Sequence, residues 1–169
     1  DMENSLKEIN SLIEESPGDP FFHELKGQIL FENGRPREAL TSYQESVKLL
    51  PNSALILSDL GKVELSQKTQ SSQKAAISHL EKSVNIDNSN ATSWRLLATA
   101  YGESGNLPMS YLALAEEALL QDDSKTALQM SGQAIATLKE SSPAHRRAQD
   151  VKNKAEDMKK QEEDKNSPF

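Results

Sequence analysis

Apolar residues recur at helical spacing in short blocks, and each block ends at a polar break that carries glycine or proline. Leu6, Ile9, Leu12 and Ile13 fall on one helical face before Ser16-Pro17-Gly18-Asp19-Pro20 interrupts the pattern. The spacing predicts further helices over about residues 20–33, 36–49, 54–67, 73–86 and 91–103, the last ended by Glu103-Ser104-Gly105-Asn106. Between the third and fourth of these predicted helices, the polar stretch LSQKTQSSQK reads as a lengthened surface turn, where an insertion costs little. Beyond Pro108, Ser110 and Leu114 complete one helical pair while Leu114, Ala115 and Ala118 open another that runs through Ala127 and Ala134, so one helix serves two units. Ser142 as N-cap and Pro143 in the first turn start a last helix with an apolar stripe of Ala148, Val151, Ala155 and Met158. Glu156 and Lys160 form a favourable exposed pair on it, and MKKQEEDKNSPF reads as a charged tail into which the helix frays.

The blocks repeat. Pro17 and Pro51 stand 34 residues apart, and the interval holds Gly27, Gly34, Ala39 and Tyr43. KAAISHLEKSVNIDN then echoes REALTSYQESVKLLP, with Ala76 for Ala39, Leu80 for Tyr43, Ser83 for Ser46 and Val84 for Val47, and Trp94, Leu97, Ala98 and Tyr101 mark a third first helix. A helix–turn–helix recurring at this period resembles the tetratricopeptide repeat. The expected fold class is all-α, a right-handed superhelix of antiparallel helix pairs. Residues 1–18 would be the second helix of a truncated upstream repeat, 20–53 one repeat, 54–90 a repeat with an inserted turn, 91–141 overlapping repeat-like units and 142–169 a capping helix with its tail. On that reading the apolar face of residues 6–13 is exposed, and either a missing upstream helix or a second copy in a homodimer would cover it.

Composition narrows the chemistry. A net charge of -7 over 169 residues supplies no basic footprint for phosphates, which argues against nucleic acid as a partner. No apolar run approaches the roughly 20 residues of a membrane-spanning helix. The absence of cysteine removes disulfides, thiol nucleophiles and thiolate metal sites. His23-Glu24 begins like the zinc-protease motif HExxH, but Gly27 occupies the second histidine position, and His79 and His145 lie far along the chain. Glu116-Glu117 and Asp122-Asp123 read as solvated helix ends, and Tyr43, Trp94, Tyr101 and Tyr111 as packing knobs. No catalytic residue, metal or cofactor is expected.

What the repeats offer is a groove. The first helix of each pair lines the concave face, which places Phe21, Glu24, Gln28 and Phe31, then Leu55, Ser58, Lys62 and Leu65, then Thr92, Arg95 and Thr99 where a protein or peptide partner would lie. Apolar side chains of the partner would take Phe21 and Phe31, and a carboxylate would meet Arg95. Glu24 and Gln28 do not supply the Lys and Asn with which chaperone-binding repeats clamp a terminal carboxylate.

A narrower resemblance also exists. FFHELKGQILFENGRPREAL, LALAEEALLQDDSKTALQMSGQAIATL and SSPAHRRAQDV are similar to the C-terminal repeat region of bacterial BepA/HtpX-like zinc metallopeptidases. That resemblance implies a periplasmic parent in which an HExxH domain precedes the repeats, and in which the repeats dock partners or clients in outer-membrane protein quality control. It carries no catalytic residue onto this chain. The alternative is a stand-alone adaptor, or a self-associating module, with no protease attached.

Overall fold

The computed structural model describes residues 2–166. Among them it holds nine α-helices and no strand, in two units that meet in sequence at Asp87 and Asn88. The first unit contains α1 (Met2–Glu15), α2 (Pro20–Glu32), α3 (Pro36–Leu49), α4 (Ala54–Ser66) and α5 (Gln70–Ile86). The second contains α6 (Ala91–Glu103), α7 (Leu107–Leu120), α8 (Ser124–Thr137) and α9 (Pro143–Asn166).

Short polar side chains set the helix starts. The Asp19 carboxylate accepts from the Phe21 amide at 2.9 Å with Pro20 in the first turn, and Asn90 accepts from the amides of Thr92 (3.0 Å) and Ser93 (3.3 Å). The turn from α2 to α3 needs a left-handed residue, supplied by Gly34 (φ 74°); the turn from α4 to α5 places Lys68 (φ 54°) in the same region.

Both these turns are three residues long, Asn33-Gly34-Arg35 and Gln67-Lys68-Thr69. The lengthened turn expected in LSQKTQSSQK is therefore absent. The extra residues extend α5, which has 17 residues against 14 in α3. The reason is a capping box: the Ser72 amide donates to the Thr69 hydroxyl at 3.1 Å and the Thr69 amide to the Ser72 hydroxyl at 3.2 Å, so the serines start a helix instead of a loop.

In the first unit α2 pairs with α3 and α4 with α5, α3 packs on α4, and α1 on α2. Leu6 and Ile9 of α1 are buried in one cluster with Leu30, Ala39, Tyr43, Leu60 and Val63. Of the apolar face of residues 6–13, Leu6 and Ile9 are thus covered within the unit, which leaves less of it open to a second copy. Leu12 remains exposed and Ile13 half-buried.

Small residues let the paired helices approach closely. A Cβ at Gly27 would stand 2.7 Å from the Tyr43 ring, and one at Gly61 would stand 2.6 Å from Leu80 Cγ. Each crossing is pinned by a buried hydroxyl: Ser46 donates to the Pro20 carbonyl and Ser83 to the Ala54 carbonyl, both at 2.7 Å. Beside the second crossing, the buried Glu64 carboxylate is bonded by His79 Nδ1 at 2.9 and 3.1 Å.

In the second unit α7 packs against α6, α8 and α9, and α8 packs against α9. Ser110 on α7 donates to the Ala98 carbonyl of α6 at 2.8 Å, and the Trp94 indole donates to the Asn88 carbonyl at 2.9 Å. Ala148, Val151 and Ala155 of α9 are buried. Ser142 caps α9 through the His145 amide at 3.1 Å, and the helix continues to Asn166, so the charged segment read as a fraying tail is helical that far; Ser167, Pro168 and Phe169 lie outside the described residues. On this helix Glu156 is 3.9 Å from Lys152 instead of pairing with Lys160, which lies 4.0 Å from Asp157.

The close crossing is testable by adding single methyl groups. Gly61→Ala should lower stability by about 1–3 kcal/mol, because Leu80 Cγ stands where the methyl must go. Gly132→Ala on α8, with nothing within 4 Å, should raise it by about 0.5–1 kcal/mol. Urea unfolding compares the two; equal midpoints for wild type and Gly61→Ala would show that the crossing tolerates a side chain.

Candidate functional site

The first helices of the two pairs in the first unit, α2 and α4, begin with exposed apolar residues. Phe21 is 54% and Leu55 55% exposed. One helical turn further along each helix stands a carboxylate, Glu24 on α2 and Asp59 on α4. Another turn on, Lys62 lies over the half-buried Phe31 ring with its ammonium 5.1 Å from the centroid. Gln28 donates to the Glu32 carboxylate at 2.9 Å.

These groups share one electrostatic neighbourhood. Burial pushes the Glu24 carboxyl above its ordinary value, and the Asp59 charge pushes it further. Burial likewise raises Asp59, with Lys62 opposing. The Tyr43 hydroxyl, behind them, is held well above the ordinary tyrosine range by burial and then by Asp59, Glu24 and Glu32. The surface is therefore apolar at the helix starts and carries two partly desolvated carboxylates against one lysine already seated on an aromatic ring.

Of the expected groove residues, Phe21, Glu24, Gln28, Phe31 and Lys62 are on this face, together with Leu55. Ser58 is only 4% and Leu65 only 7% exposed, so neither presents a surface to a partner. Asp59, one position along from Ser58, is the residue the sequence reading missed. Spacings of three and four both keep a residue on one helical face, and on α4 the accessible row is exposed Leu55, half-buried Asp59 and exposed Lys62 instead of 55, 58 and 62.

Arg95 and Thr99 lie in the second unit. Arg95 was expected to receive a carboxylate from a partner, but it already has one: its Nε and Nη2 each stand 2.6 Å from Oε1 of the buried Glu117, which also accepts from Gln121 at 3.1 Å. The Thr99 hydroxyl donates to the Arg95 carbonyl at 3.0 Å, and Thr92 is exposed. Glu116, the other member of that acidic pair, is bonded by Arg147, whose guanidinium stacks 4.7 Å from the Trp94 ring. Asp123 caps α8 through the Thr126 amide at 2.9 Å. Both carboxylate pairs noted in the sequence thus have structural partners at Glu116, Glu117 and Asp123.

His23 Nε2 lies 3.0 Å from the Pro17 carbonyl oxygen, and among the described residues no group of three or more His, Asp or Glu side chains could hold a metal ion. Nor is any helix among them long and apolar enough to cross a membrane.

No protein-family model matches the chain, and no curated protein matches it. Solved structures do. MamA from Desulfovibrio magneticus RS-1, residue 41 to its end, is 21% identical and superposes with a TM-score of 0.67 over 95% of this chain and 86% of that one. YrrB, described as a tetratricopeptide protein with an unusual peptide-binding site, is 16% identical with a TM-score of 0.65 over 94% of this chain and 78% of its own. The tetratricopeptide domain of Arabidopsis OM64 is 18% identical with a TM-score of 0.58 over 70% of this chain and 96% of its own.

The fold is that of tetratricopeptide repeats.

Within such a repeat, α2 and α4 are the first helices of their pairs, and their exposed row is the one just described. Its carboxylates make a signed prediction. Because Asp59 has a raised folded-state value, the folded protein binds its proton more tightly than the unfolded chain does, and ionising it costs stability. Asp59→Asn should raise the melting temperature at pH 7, and the gain should vanish as pH falls below the ordinary aspartate value of 3.8. A pH series of thermal melts checks it; a gain that persists at low pH would rule out desolvation of Asp59 as the cause.

Proposed function

We propose that the chain is a non-catalytic protein-interaction scaffold that presents the exposed face of α2 and α4 to a protein or peptide partner. The observation that carries this is the pair of half-exposed side chains, Phe21 and Leu55, at equivalent places in successive repeats, 34 residues apart. Large apolar side chains repeated along one face, with polar groups beside them, suit a segment that lays alternate side chains into a shallow groove. The likeness in fold to YrrB, whose description names a peptide-binding site, supports the same reading.

A finer reading joins the scaffold to an enzyme. FFHELKGQILFENGRPREAL, LALAEEALLQDDSKTALQMSGQAIATL and SSPAHRRAQDV support it as the repeat region of a periplasmic BepA/HtpX-like zinc metallopeptidase, docking partners or clients in outer-membrane protein quality control. Reading the coding sequence upstream for HExxH decides it. Without that motif the chain is a stand-alone adaptor or a self-associating module, and the periplasmic location goes with the protease.

The scaffold reading is tested by site-specific crosslinking in the native cell. A photo-reactive residue in place of Leu55 should trap a discrete protein, while the same residue in place of Gln44, exposed on α3, should trap none. Equal trapping at both positions would overturn the assignment of the binding face.

A further inference from the structure

We infer that the α2/α4 face docks a basic segment of a protein partner, with apolar side chains on Phe21 and Leu55 and a lysine or arginine beside Glu24 and Asp59. The inference rests on the scaffold reading and specifies the partner's charge.

The apolar residues set where a partner sits; the charges decide which one. Phe21 and Leu55 are each followed, one turn along, by a carboxylate. Both carboxylates are partly withdrawn from water, and Asp59 raises Glu24 by its charge. A carboxylate in that condition gains from an incoming ammonium or guanidinium, which restores part of the solvation it lost and relieves the repulsion across the face. An acidic segment, or a chain terminus bearing a carboxylate, meets the opposite situation. The nearby cation, Lys62, is already held over Phe31, so the newcomer would face two like charges, a form of rejection that costs affinity. A second copy of this chain, at a net charge of -7, brings the same sign and is disfavoured for the same reason.

The test uses the full chain and three short synthetic peptides that share one apolar pattern and differ only at two central positions: Lys-Arg, Gln-Gln or Glu-Glu. Each is titrated while backbone amide resonances are followed by NMR. The Lys-Arg peptide should shift the amides around Glu24, Asp59 and Lys62 and bind about tenfold or more tighter than the Gln-Gln peptide, with the Glu-Glu peptide weakest. In the Glu24→Gln, Asp59→Asn double variant the Lys-Arg peptide should fall to the affinity of the Gln-Gln peptide. Phe21→Ala should weaken all peptides by a similar factor, which separates the apolar contribution from the charged one.

Three results would overturn the inference. Equal binding of all three peptides at these amides would remove the charge preference and leave the scaffold reading standing. No shift at these amides with any peptide would remove the docking face and the scaffold assignment to it together. Shifts that grow with protein concentration in the absence of peptide would give the face to a second copy.

Discussion

The first unit depends on how closely the two helices of each pair can approach. Gly27 and Gly61 occupy the crossing points, and in each case the space a Cβ would need is filled by a side chain of the second helix, the Tyr43 ring or the Leu80 branch. With the backbones that near, the hydroxyl of Ser46 or Ser83 can reach the carbonyl of the first residue of the partner helix. The same geometry recurs in both pairs although Tyr43 and Leu80 differ in shape. What is repeated is the absence of a side chain on one helix and the presence of a bulky one opposite it. A glycine inside a helix is itself unfavourable, so its place here is explained by packing. The crossing in turn fixes which row of α2 and α4 is left outside, and that row is the face proposed above for a partner.

The fold was largely legible because its signals are of this local, steric kind. Glycines 34 residues apart (Gly27, Gly61) and alanines and serines 37 apart (Ala39, Ala76; Ser46, Ser83) encode the crossings, and prolines and short polar residues mark the helix starts. Two misreadings have a common source. LSQKTQSSQK and the charged C-terminal segment are polar, and polarity suggests loop or tail, whereas the first begins a helix through the Thr69–Ser72 capping box and the second continues α9 to Asn166. Polarity reports exposure to water, and an exposed helix face satisfies it as well as a loop does. The burial of Leu6 and Ile9 was missed for a different reason. Spacing shows an apolar face without showing what lies on it, and Leu6 and Ile9 are buried with Leu30, Ala39 and Tyr43 while Leu12 stays exposed.

The site was less legible, because it turns on register and on pairing across the sequence. Glu24, Phe31 and Lys62 could be placed from spacing alone. Whether Ser58 or Asp59 joins them is decided by the rotation of α4 against α3 and α5, which no local pattern records. The state of Arg95 depends on Glu117, 22 residues away on α7, and a sequence shows two charges without showing that they are joined. Once joined, the expected interaction changes: Arg95 already has a carboxylate from its own unit.

Those carboxylates are where binding and stability pull against each other. On an exposed helix start, Glu24 and Asp59 would be well solvated; here burial beside Tyr43 and the neighbouring helix raises both, so that ionising either at neutral pH works against the fold. Packing alone does not require them. An amide of similar size would occupy the same space and carry no charge to desolvate, and Lys62 has a favourable seat on Phe31. A charge that costs the folded state something, placed between exposed apolar residues of successive repeats, is the arrangement expected where a cation arrives from outside, because the cost is removed only in the complex. The strain and the specificity would then have a single origin, the partial withdrawal of two carboxylates from water by the same close helix packing that holds the repeats together.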